Sequence, residues 1–139
     1  MMTPRCRPWA FCLMLGVLAV GVSITSCQGA SQRPIPQTYP VRGKVVYKSG
    51  GLVTAGRIEF RTPGELYHTI LGEVQPDGTF SLYTLSNDKK YPGATEGTHQ
   101  VFVILVEPHT NEEIRVSAGE CTVQPGDNDI ILQVEKPRR

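Results

Sequence analysis

The chain has 139 residues, of which 40% are hydrophobic and 19% are charged, and its formal net charge is +1. One domain of ordinary size fits this length, whereas a large catalytic domain does not. With 14 Gly and 11 Pro the sequence is too rich in turn residues for a helical bundle, so short strands joined by tight turns are expected. The near-zero charge offers no basic field for a phosphate backbone, and nucleic acid is not an expected partner.

Residues 1–26 have the pattern of an export signal. Arg5 and Arg7 precede an uncharged apolar run from Trp9 to Val22. A transmembrane helix needs about 20 apolar residues, whereas this run has the length of the apolar region of a signal peptide. We therefore predict a signal helix that is cleaved after residue 26, with a short membrane anchor as the alternative.

The segment Ile24-Thr25-Ser26-Cys27 directly follows this apolar run and resembles the bacterial lipoprotein box. The resemblance implies that Cys27 becomes the first residue of the mature protein and carries a diacylglycerol and a further acyl chain such as palmitate. Several acyl chains hold a protein stably on a membrane without spanning it. Gln28, in place of Asp, resembles the outer-membrane sorting pattern and predicts the periplasmic face of that membrane. The alternative is an ordinary secretory signal without lipid.

After the cleavage point, residues 27–39 form a lipidated cysteine and a proline-rich segment that we predict to be a flexible tether. Cys121 is then the one cysteine that carries no lipid, so no disulfide within the mature chain is expected. We interpret Cys121 as a small apolar residue of the domain interior.

Residues 40–135 alternate between apolar and polar side chains and predict a small antiparallel β-sandwich of about seven strands, followed by a polar tail at 136–139. Thr98–Glu107 is apolar at nearly every position and predicts a central strand buried on both faces. Segments 112–116 and 120–124 are predicted as two separate strands, and 85–97 as an exposed loop. The predicted core comprises Val41, Val45, Ile58, Phe60, Phe80, Leu82, Val101, Val103, Leu105, Ile114, Val116, Val123, Ile130, Leu132 and Val134.

The order of short motifs along this domain is similar to that of carboxypeptidase regulatory-like domains. The motifs are Val41-x-Gly43-x-Val45, Gly56-x-Ile58-x-Phe60, Asp77-Gly78-x-Phe80-x-Leu82, Gly93-Ala94-x-x-Gly97 and Gly126-x-Asn128-x-Ile130. The resemblance implies a transthyretin-like (prealbumin-like) sandwich without an active site of its own. An immunoglobulin-like sandwich is the alternative.

The sequence offers little catalytic chemistry. His109 and Glu112 fit the pattern H-x-x-E of zinc carboxypeptidases, but a catalytic zinc needs a third protein ligand and no His follows Glu112. His68 and His99 have no partner at ligand spacing, so they are interpreted as strand residues. No metal, cofactor or enzymatic activity is expected, and a cryptic hydrolase would need His and carboxylate side chains that converge in the fold.

We therefore expect a non-enzymatic, lipid-anchored cell-envelope protein that acts as a structural or binding module. Its expected partners are the membrane, through the lipid on Cys27, and an envelope protein or glycan. The alternative function is carbohydrate or peptide binding by the segment 85–97, for which the candidate residues are Tyr83, Lys89, Lys90 and Tyr91.

Overall fold

The computed structural model describes residues 34–107 and 109–138, which form ten strands and contain no helix. The strands are β1 (Thr38–Tyr39), β2 (Val41–Tyr47), β3 (Gly56–Arg61), β4 (Thr69–Val74), β5 (Thr79–Ser86), β6 (Lys89–Pro92), β7 (Ala94–Thr95), β8 (Gly97–Val106), β9 (Glu113–Val123) and β10 (Asn128–Val134). The predicted signal peptide and Cys27 lie outside the described residues. Within those residues, no helix has the length and apolar character to cross a membrane.

Eight strands form one curved sheet in the order β10-β2-β5-β4-β3-β8-β9, with β6 paired to β5, while β1 and β7 form a two-stranded ribbon. The first half of β5 pairs with β2 and its second half pairs with β4 and β6, so this strand joins the two layers. The predicted all-β sandwich is confirmed, and seven strands have six residues or more.

One strand pair departs from the predicted antiparallel arrangement. Strands β2 and β10 run parallel over seven register positions, from Val41 opposite Asn128 to Tyr47 opposite Val134. Alternation in a sequence shows which residues share a face but not which way a neighbouring strand runs. The direction therefore becomes visible only when the first and last strands of the domain meet.

The core lies between the layers and is formed by the inward-facing residues of each strand. Most of the predicted core residues are buried, and the structure adds Val53, Ile70, Val74 and Ala94 to the core. Ile114, Val116 and Ile130 are half-buried instead. Ile114 and Val116 belong to β9 and Ile130 to β10, the two terminal strands of the sheet, which have a sheet neighbour on one side only.

The outer face of β8 is shielded by charged side chains and not by a second layer of strands. The guanidinium carbons of Arg61 and Arg115 lie 5.6 Å and 5.4 Å from the ring centroid of Phe102. Both arginines donate to the Glu59 carboxylate, at 2.7 Å and 2.6 Å. Ile104, only 4% exposed, lies between Arg57 and Arg115 in the register. Arginine stems and cation–π contacts thus cover Phe102 and Ile104. Gln100 and Val106 on the same face are exposed, so the prediction that this strand is buried on both faces holds only for its middle.

Three local predictions were wrong. Thr38 and Tyr39, at the end of the predicted flexible tether, form β1 and pair with β7. Segment 85–97 is not a loop, because β5 continues to Ser86 and turns back into β6 through Asn87 and Asp88, whose φ angles are 49° and 60°. Asn and Asp tolerate positive φ, which a tight hairpin turn requires. Segments 112–116 and 120–124 belong to one strand, β9, in which Ala118 is the extra residue of a bulge opposite Val101 and Phe102.

The directions of the strands place each loop or turn at one of the two ends of the sandwich. The tether end consists of residues 34–37, the loop 62–68, the turn 87–88 and the turn 124–127. The distal end consists of residues 48–55, 75–78, 109–112 and 135–138. Strand β2 begins at the tether end, so the chain that precedes the domain joins it there.

Candidate functional site

The four predicted binding residues lie on the β5–β6 hairpin but face in two directions. Residues directly opposite each other in a sheet share a face. Tyr91 is opposite Thr84 and Lys89 is opposite Ser86, and both partners are buried. Lys90 is opposite Leu85, on the outer face that also carries Tyr83. The structure therefore brings Tyr83 and Lys90 together and places Lys89 and Tyr91 on the other face.

Tyr83 and Lys90 border an open cleft of about 370 Å³ on the outer face of β5. The Lys90 ammonium nitrogen lies 4.5 Å from the ring centroid of Tyr83, a cation–π contact. The cleft is also lined by Glu73, Gln75, Thr79, Phe80 and Ser81. A carboxylate, an amide and two hydroxyls can form hydrogen bonds in several directions, which suits a polyhydroxylated or polar ligand.

A larger cleft of about 440 Å³ opens at the distal end and was not anticipated from the sequence. Tyr47, Leu105 and Ile114 contribute apolar surface to it. Two carboxylates and two cations also line it, from Glu107, Glu112, Lys136 and Arg138. Apolar surface together with charges of both signs suits an extended peptide better than a sugar. The lining comes from segments that are far apart in the chain, so no local pattern could have shown the cleft.

His99 is the most deeply buried ionisable side chain of the described residues, at 0% exposure. Its Nε2 lies 2.8 Å from the carbonyl oxygen of Thr95 and its Nδ1 lies 2.8 Å from the hydroxyl of Thr62. A carbonyl can only accept, so Nε2 carries a proton and donates to Thr95, while Nδ1 shares a hydrogen bond with the Thr62 hydroxyl. With its ring packed against Phe60, His99 is a satisfied core residue that fastens the loop 62–68.

The remaining histidines do not join it in a site. His109 lies in an exposed turn. The Nδ1 of His68 is buried and has no hydrogen-bond partner among the described residues. Within residues 34–107 and 109–138, no group of three or more His, Cys, Asp or Glu side chains is arranged to hold a metal ion. The pair His109 and Glu112 therefore has no third ligand in this part of the chain.

Cys121 is half-buried on β9, directly opposite His99 in the register. Burial raises the pKa of the Cys121 thiol because it disfavours the charged thiolate. Both ring nitrogens of His99 are already engaged by Thr62 and Thr95, so the imidazole is not positioned to take the thiol proton. The pair lacks the activated thiolate of a nucleophilic cysteine.

Comparisons with protein-family profiles, with curated proteins and with solved structures found no match to this chain. The described residues form an all-β sandwich domain whose open clefts include one on the outer face of the sheet and one at the distal end.

Proposed function

We propose that this chain is a lipid-anchored, non-enzymatic protein of a bacterial cell envelope that acts as a structural or binding module. The observation that carries the proposal is Ile24-Thr25-Ser26-Cys27 directly after the apolar run of residues 9–22. A thiol at this position is the attachment point for a lipid, and acyl chains would hold the domain on the periplasmic face of the outer membrane.

The shape of the domain supports a binding role. Strand β2 begins at the tether end, and the cleft of about 440 Å³ opens at the distal end. A domain anchored through Cys27 would therefore present that cleft away from the lipid, toward proteins or glycans of the envelope. The motif order described above extends the proposal to a carboxypeptidase regulatory-like domain of the transthyretin-like type.

The anchor is tested by metabolic palmitate labelling of the full chain. We expect labelling to be lost in Cys27→Ala and retained in Cys12→Ala and Cys121→Ala, which remove a thiol from the apolar run and from the domain. Labelling that persists in Cys27→Ala contradicts the proposal.

A thiol count on the membrane-extracted protein, unfolded in urea, gives an independent measurement. The full sequence has four cysteines. Cleavage and lipidation leave one titratable thiol, Cys121, whereas cleavage without lipid leaves Cys27 as well. An uncleaved, unlipidated chain titrates all four, so any count above one contradicts the proposal.

The second candidate function is binding of a glycan or peptide at the Tyr83–Lys90 cleft, favoured by the cation–π pair and the polar lining described above. On a glycan array and a peptide array, Lys90→Ala should weaken binding about 3- to 10-fold, the usual range for a cation–π contact. Lys89→Ala is the matched control because Lys89 points to the other face. Equal losses in the two variants, or no binding by the parent protein, would exclude this cleft.

A further inference from the structure

The most exposed apolar side chains are concentrated at the tether end. Of the four large hydrophobic residues with the highest exposure among the described residues, three lie there: Leu66 at 85%, Ile35 at 66% and Tyr67 at 56%. The fourth, Ile131 at 70%, lies on β10. At the distal end, Leu52 and Val106 reach 45% and 47%. Exposed apolar groups gathered in one region indicate a contact surface.

Hydrogen bonds order the loop 62–68, which carries Leu66 and Tyr67. The Glu65 N–H donates to the Thr62 carbonyl at 3.1 Å, which closes a turn in which Gly64 has a φ of 80°. The Glu65 carboxylate accepts the Tyr67 N–H at 2.8 Å. Thr62, at the base of the loop, is bonded to the buried His99. Leu66 is therefore held outward by bonds that fasten the rest of the loop.

If Cys27 carries lipid, the length of chain between Cys27 and Ile35 limits how far the loop 62–68 can lie from the bilayer. Seven residues lie between Cys27 and Ile35, and the eight Cα-to-Cα steps span at most about 29 Å when fully extended. The ten-residue strand β8, which runs between the two ends, is about 33 Å long. A tether of this length lets the tether end reach the bilayer surface, and in that orientation the distal end stands about one strand length farther away.

We propose that the tether end docks on the lipid surface and inserts Leu66, Tyr67 and Ile35 into the membrane interface. This inference rests on the proposed lipid anchor at Cys27. Tyr is favoured at the interface because its ring is apolar and its hydroxyl is polar, and aliphatic side chains gain by leaving water. The turns of this end also carry Glu65, Asp88 and Asp127 beside Lys89. Because no excess of positive charge is present to attract anionic lipid, the proposed contact is apolar and is expected to persist in high salt.

The experiment uses one tryptophan as a depth probe in the mature, lipidated chain that begins at Cys27. Trp9, the sole Trp of the full sequence, leaves with the signal peptide, and Trp9→Phe also removes its emission from any uncleaved chain. Leu66→Trp places the probe at the tether end. Leu52→Trp is the matched control, because it makes the same substitution at an exposed Leu of the distal end. Both proteins are reconstituted into phosphatidylcholine and phosphatidylglycerol vesicles that contain brominated acyl chains.

We expect the bromines to quench the tether-end probe at least about threefold more than the distal-end probe, because bromine quenches only at short range and the tether-end contact is apolar. The tether-end probe should also show a blue-shifted emission, and its quenching should be the same in high salt. Equal quenching of the two probes in protein that carries palmitate on Cys27 would overturn the docking and leave the anchor standing. Quenching that disappears in salt would also overturn it. Absence of palmitate from Cys27 would remove the anchor and the docking together.

Discussion

The two ends of the sandwich are held by different kinds of bond. At the tether end, side chains join segments that are distant in sequence: Thr62 bonds to His99, and the Thr38 hydroxyl donates to the Pro92 carbonyl at 2.7 Å. At the distal end, the Gly78 N–H donates to the Gln75 carbonyl and the Asn111 N–H donates to the Glu107 carbonyl within their own turns. Distant segments are joined there by a backbone bond from the Lys48 N–H to the Val134 carbonyl and by the exposed Lys48–Glu135 pair, with no buried side chain like His99 among the bonds described.

This difference suggests that the tether end is a surface of fixed geometry and that the distal end is a surface that can change its conformation. A loop fastened by a buried imidazole keeps its geometry, which suits a surface that must meet a membrane in one orientation. Turns that depend on their own residues can change without disturbing the core. We expect substitutions at the tether end to affect the stability of the whole domain, and those in the distal turns to remain local.

The largest expected difference between the ends comes from two glycines with nearly the same φ, Gly93 at 91° and Gly51 at 93°. A Cβ on Gly93 would overlap the carbonyl oxygen of Tyr39, whereas nothing lies within 4 Å of a Cβ on Gly51. Gly51→Ala should cost about 1–2 kcal/mol for the left-handed backbone. Gly93→Ala should cost about 1–3 kcal/mol more through the overlap, measured by urea unfolding. Equal costs would contradict the tight packing of the β1–β7 ribbon.

A smaller loss is expected from His99→Leu, which removes the partner of the part-buried Thr95 carbonyl and of Thr62. An unsatisfied buried polar group costs about 1–3 kcal/mol. Hydrogen exchange should also show faster exchange of the loop 62–68. Thr62→Val tests the same link from the loop side, and the two substitutions should be less than additive. Full additivity would mean that His99 does not fasten this loop.

Substitutions on the outer face of the sheet, between the two ends, should lower the free energy of unfolding by a smaller amount. Glu59, whose side chain is 14% exposed, binds two arginines, whereas Glu113 lies 3.7 Å from Arg57 in an exposed pair. Glu59→Gln should lower the free energy of unfolding by about 1 kcal/mol and Glu113→Gln by about 0.3 kcal/mol. A larger loss in Glu113→Gln would show that the exposed pair, and not the Glu59 bridge, shields β8.

The smallest effect is expected at the distal end, from Asp77. The hydroxyl and N–H of Thr79 donate to the Asp77 carboxylate and lower its pKa from the ordinary value. A lowered pKa in the folded state stabilises the protein above the unfolded-state pKa, and this contribution is lost as the pH falls through the folded-state value. Asp77→Asn should therefore lower the melting temperature slightly at neutral pH and not in strong acid. A difference that grows in acid would contradict the assignment.

Much of the fold could be predicted because period-two alternation records which side chains face the core. Ile58 and Phe60, for example, are buried as the alternation around them predicts. The hairpin at 85–97 was missed because its polar composition outweighed the turn preference of Asn87 and Asp88. The long strand β9 was divided because its bulge interrupts the alternation at Ala118.

The candidate sites were less predictable. Tyr83 and Lys90 could be selected from composition, but their contact depends on the pairing of β5 with β6, which also turns Lys89 and Tyr91 away. The distal cleft left no sequence signal because Tyr47, Leu105 and Lys136 meet only after the sheet has folded.

By itself, the sequence determined the all-β class and most of the core, because these depend on neighbouring residues and their spacing. The tertiary structure alone decided the parallel pairing of β2 with β10, the burial of His99 between Thr62 and Thr95, and the exposure of Ile35, Leu66 and Tyr67 at the same end of the sandwich. These features depend on contacts between residues far apart in the chain, which no local pattern records.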